Sequence, residues 1–96
     1  MKTLLRNKIH NNSKSHDITV VQIGDKKVKF TYECYNAIER YTSEVFDGTQ
    51  WNHIMSMLDL GEVPNSSNYV RDDATREKRS DELYKKALKF VETLMK

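Results

Sequence analysis

The residues best suited to metal or nucleophile chemistry are three histidines, His10, His16 and His53, and one cysteine, Cys34. Zinc takes imidazole nitrogen and thiolate sulfur at set spacings, and this set contains neither Cys-x-x-Cys nor His-x-x-x-His. Gathering all four would require the N-terminus to fold back over the body of the chain. We therefore expect no bound metal, and read Cys34 as a small buried hydrophobe rather than a nucleophile. His53 reads as partly exposed, beside Gln50 and Asn52. No glycine-rich phosphate loop is present, and no acid–base or nucleophile set stands at a recognisable spacing. The expectation is a non-enzyme without a cofactor.

The second available chemistry is phosphate contact. Arg71, Arg76, Lys78, Arg79, Lys85, Lys86 and Lys89 fall within 19 residues, and such clusters bind nucleic acid by releasing counterions. Asp72, Asp73, Glu77, Asp81 and Glu82 are interleaved with them, so the segment reads first as a salt-bridged solvent face. Nucleic-acid binding through Arg71, Arg76, Lys78, Arg79, Lys85 and Lys86, aided by a basic N-terminal arm, is the alternative function. Stacking of bases on Phe30 and Tyr32 is not expected, because their strand spacing makes them core.

Protein binding is the favoured class. Tyr69, Val70 and Arg71 stand in a polar loop, and tyrosine and arginine are enriched among interface anchors. A two-stranded hairpin would leave open edges, which pair readily with another chain or a second copy. A homodimer through the hairpin edge is expected on that ground. The function read from the sequence is a small protein-binding regulator, inhibitor or assembly factor.

The elements that must position these residues start with a hairpin. Ile18 and Val20, then Val28, Phe30, Tyr32 and Cys34, recur at every second position. Gly24 and Asp25 form the turn, predicting strands over 18–23 and 27–34. Asn36 followed by Glu39 reads as a capping box opening a helix over 36–46, closed by Asp47 and Gly48. Trp51, Ile54, Met55 and Leu58 stand at i, i+3, i+4 and i+7, predicting a helix over 50–60. Gly61 closes that helix, Pro64 prevents its continuation, and a last helix is expected over 74–95. The predicted fold is α+β: an N-terminal hairpin with three helices packed on it. Its expected core is Val20, Val28, Phe30, Tyr32, Ile38, Val45, Trp51, Ile54, Leu58, Leu83, Ala87, Val91 and Leu94.

Ninety-six residues make one domain, read as a flexible basic arm over 1–15 and a body over 16–96. The arm has four bases and no acid, residues 17–69 have eight acids and four bases, and residues 70–96 have eight bases and six acids. No apolar run approaches the roughly 18–20 residues of a membrane span, and Arg6 and Lys8 interrupt any signal-like stretch. A cytoplasmic protein is expected.

The order of a strand pair with IGDKKVKF at its turn, then AIERY, is similar to small tail-assembly chaperones of bacteriophages. The resemblance covers residues 18–46, rests on common residue types and implies binding to a phage structural protein without catalysis. Size and charge also match small viral or mobile-element proteins that block host enzymes, by analogy alone.

Overall fold

The computed structural model describes residues 1–11, 14–35, 38–63 and 72–95. Five antiparallel strands follow one another in sequence order: β1 Lys2–Asn11, β2 Lys14–Ile23, β3 Lys26–Tyr35, β4 Ile38–Phe46 and β5 Trp51–Ser56. A 3-10 turn, Met57–Leu60, leads away from β5, and one long helix, α1 Asp73–Leu94, lies across one face of the sheet. The hairpin turn at Gly24 forms with φ of 60°, a positive value that glycine adopts without strain. Asp72 caps α1 by accepting from the Thr75 N–H at 2.9 Å. The core between sheet and helix holds Val21, Val28, Phe30, Tyr32, Tyr41, Met55, Met57, Leu83, Ala87 and Val91.

This architecture corrects the expected hairpin with three helices. Residues 38–46 form β4, because Ile38, Tyr41, Thr42, Val45 and Phe46 are β-branched or aromatic and suit a pleated surface. Their alternation was hidden because Glu39 and Ser43 take inward positions, where apolar residues are the norm. Asn36, the supposed cap, lies outside the described residues.

The expected helix over 50–60 is β5 and the 3-10 turn. Ser43 pairs with Met55 and Glu44 with His53, so Ile54 is an extra residue in a β-bulge. That insertion shifts the strand period by one and imitates helical spacing. Asp47 turns the chain between β4 and β5 instead of ending a helix. Its carboxylate accepts from the N–H groups of Gln50 at 2.9 Å and Thr49 at 2.8 Å, and from Asn52 Nδ2 at 2.9 Å. These bonds, the Gln50 N–H first, hold the carboxyl well below the usual carboxylate range.

The basic arm of the predicted fold is strand β1, paired along β2 with an irregularity between Thr3 and Leu5. It covers the edge that the hairpin alone would have left open. Three expected core residues are exposed: Ile38, Leu58 and Leu94. Val20 faces outward and Val21 inward, the consequence of reading β2 one residue out of phase.

Candidate functional site

Two surfaces matter: the inner face of the sheet under α1, and the free flank of β4. Inward residues follow the strand period, so His10 on β1, Ser15 and Asp17 on β2, Tyr32 and Cys34 on β3, and Glu39 and Tyr41 on β4 share the inner face. Arg76, Arg79, Ser80 and Leu83 recur every three to four residues along α1 and meet them.

Ser15, His10 and Asp17 form a relay resembling a hydrolytic triad. His10 Nδ1 is 2.7 Å from Ser15 Oγ, and Arg76 Nε donates to that same oxygen at 2.6 Å. Arginine only donates, so Ser15 Oγ accepts from Arg76 and keeps a proton and a second lone pair for its contact with His10 Nδ1. Nε2 lies 2.9 Å from Asp17 Oδ2, off the line of a hydrogen bond. Asp17 also accepts from Ser80 Oγ at 2.5 Å and from the Ile9 N–H at 3.2 Å. Ser15 and Asp17 are buried and Arg76 is fully covered. The cavity on the Asp17 and Ser80 side is only about 10 Å³, while Ser15 and Cys34 border a groove of about 310 Å³ between β1 and β3. What the relay does is fasten α1 to β1 and β2.

A second chain of polar groups fastens the other side. Tyr32 donates to Glu39 Oε2 at 2.8 Å, and Arg79 Nε donates to the same carboxylate at 3.1 Å. Arg79 also reaches Glu62 at 3.2 Å, and Glu62 accepts from Lys86. Burial, then the Glu39 carboxylate, pushes the Tyr32 hydroxyl far above its ordinary value. Burial pulls Arg79 down, but Glu39 and Glu62 outweigh it and leave its pKa raised. Burial also pushes the Cys34 thiol up.

The predicted site residues therefore separate. Arg76 and Arg79 are internal, held by Ser15, Asp73, Glu39 and Glu62. Lys86 shares Glu62. Lys78 and Lys85 are exposed on α1 among Glu77, Asp81 and Glu82. Tyr69, Val70 and Arg71 lie outside the described residues. His10 and Cys34 occupy the inner face, whereas His16 and His53 point outward from β2 and β5. Among the described residues, no three His, Cys, Asp or Glu side chains gather as a metal site. No described helix is long and apolar enough to cross a membrane.

The flank of β4 went unread because it was taken for a helix. β5 pairs only with residues 42–46, so among the described residues 38–41 have a strand partner on the β3 side alone. Beside them lies a groove of about 400 Å³ lined by Ile38, Arg40, Tyr41, Thr42, Met57 and Leu58. Ile38 is 62% and Leu58 72% exposed. At the opposite end of the outer face, Phe46 and Trp51 pack at 5.2 Å, and Lys29 covers the Trp51 ring and pairs with Glu44. The apolar groups there are engaged; those at 38 and 58 are not. Alternation across 38–46, with two polar residues admitted inward, is the signal that would have exposed this flank. No family model, curated protein or solved structure matches the chain.

Proposed function

We propose that this domain is a non-catalytic protein-binding module, a regulator, inhibitor or assembly factor, which captures an extended segment of its partner along β4. The observation that carries the reading is the stretch 38–41, whose backbone is, among the described residues, paired on one side only while β5 stops short of it. Alternate residues of an antiparallel strand direct their N–H and C=O groups to the same side, so half of this stretch offers a template for an added strand. Ile38 and Leu58 supply apolar contacts beside that template, and Arg40 favours an acidic residue on the incoming segment. The Ser15 hydroxyl is engaged by both Arg76 and His10 in fastening α1 to the sheet, which supports a structural role for the relay.

Nucleic-acid binding is the weaker reading because Arg76, Arg79 and Lys86 already neutralise acids of the fold. The bacteriophage resemblance rested on a hairpin followed by a helix, and residues 38–46 form a strand. The proposal places the protein in the cytoplasm, where its single buried thiol, Cys34, stays reduced.

Affinity capture from host extract, with and without nuclease, tests the reading. Wild type should retain one stoichiometric protein regardless of nuclease, and Ile38→Asp and Leu58→Asp should each lose it. Both sites are exposed, so both variants should keep the wild-type melting temperature. Retention of nuclease-sensitive material alone, or equal capture by the variants, would overturn it.

A further inference from the structure

Strand β1 forms the other edge of the sheet, and its inward cations, Arg6 and Lys8, are already drawn to Asp81 of α1. It runs ten residues, Lys2–Asn11, and among the described residues pairs with β2 alone. Edges of this length are commonly blunted by charge, proline or bulges. Here the irregularity is confined to Thr3 and Leu5, leaving a regular ladder from Leu5 onward. The outward residues of that ladder are Leu5, Asn7, Ile9 and Asn11, with Leu5 51% and Ile9 44% exposed.

We infer that β1 pairs with β1 of a second copy, antiparallel about a two-fold axis at Asn7, making one continuous ten-stranded sheet. The register follows from the strand itself. An axis at Asn7 sets Leu5 opposite Ile9 of the second copy, and Ile9 opposite its Leu5. Both pairs lie on the outer face, where Ile18 and Val20 of β2 extend the apolar surface inward. The two Asn7 side chains meet at the axis, where amides donate and accept mutually.

On the inner face the same register brings a charge cost that each copy offsets within itself. Arg6 falls opposite Lys8 of the second copy, a like-charge pair that would oppose contact if bare. Neither is bare. Lys8 lies 2.7 Å and Arg6 3.4 Å from Asp81 Oδ1, and Glu77 stands 4.0 Å from Lys8. Each copy therefore brings its own acids from α1 to the seam. A foreign strand would need matching apolar residues at the same spacing; a second copy has them by symmetry. This contact uses the opposite edge from the β4 groove and stands or falls without it.

Charge exchange across the axis is the test, read by light scattering of the full chain. Wild type should scatter at twice the chain mass. Leu5→Lys and Ile9→Glu each strike two symmetric pairs, so each should weaken dimerisation about tenfold or more. Mixing the two variants sets the introduced lysine against the introduced glutamate and leaves Leu5 against Ile9 in the second pair, so the mixture should recover the dimer. The double variant should recover it alone. Circular dichroism of the single variants should match wild type, since both side chains are half in solvent. A wild-type monomer at every concentration, or a dimer indifferent to both substitutions, would overturn the inference. Loss without recovery in the mixture would overturn the register at Asn7.

Discussion

Glu39 and Arg79, forty positions apart, meet at 3.1 Å between β4 and α1, with the Glu39 carboxylate fully covered. Tyr32 completes the site by donating to the same carboxylate. Removing one member strands the others in a place that water does not reach. Glu39→Ala should therefore cost about 3–5 kcal/mol, far more than an exposed ion pair. Glu39→Gln, which retains an acceptor for Tyr32, should cost less. Urea titration of the two variants checks the order, and equal losses would contradict it.

The identity of β5 makes a second prediction. Met55 is buried against the sheet, whereas Leu58 projects into solvent. Met55→Ala should destabilise by about 2–5 kcal/mol, and Leu58→Ala should stay within about 0.5 kcal/mol of wild type. A helix over 50–60 would bury both, so comparable losses would refute the strand.

A third prediction concerns acid. The hydrogen bond from Lys86, together with the Arg79 charge, outweighs burial and holds the Glu62 carboxyl below its ordinary value of 4.5. A depressed folded pKa contributes stability in full above the unfolded value, and that contribution is lost as pH falls through the folded value. Melting temperature should thus drop on acidification below about pH 4.5, and Glu62→Gln should flatten that limb while lowering stability at neutral pH. A variant whose acid limb matches wild type would show that Glu62 carries none of it.

The misread strands have two causes, inward polar residues and one inserted residue. Val28, Phe30, Tyr32 and Cys34 alternate cleanly, so β3 was legible, and the spacing of Leu83, Ala87 and Val91 revealed α1. On β2 and β4 the inward positions include Ser15, Asp17, Thr19, Glu39 and Ser43. A polar residue inside looks like a solvent face until its partner is known. The partners Arg76, Arg79 and Ser80 lie more than thirty positions downstream on α1. Those arginines were read as part of a salt-bridged solvent face for the complementary reason. In β5 the extra residue Ile54 reset the period. The β4 flank was lost with its strand, since no edge can be inferred where a helix is assumed.

Phosphate contact has its own check. With Arg76 and Arg79 committed inside, Arg76→Lys and Arg79→Lys should lower stability without producing or abolishing affinity for duplex DNA. Lysine keeps the charge but loses the planar fork that serves several acceptors at once. If instead the protein binds DNA with a steep salt dependence, roughly 0.9 per phosphate in the log–log slope, its function lies with nucleic acid.

Amide exchange over residues 38–41 tests the capture of a strand most directly. In the free protein the amides of this stretch that face away from β3 should exchange quickly, since they have no strand partner among the described residues. With the captured partner bound, those amides should slow sharply while the rest of β3 and β4 changes little. Unchanged exchange over 38–41 in the complex, with protection gained elsewhere, would contradict the account.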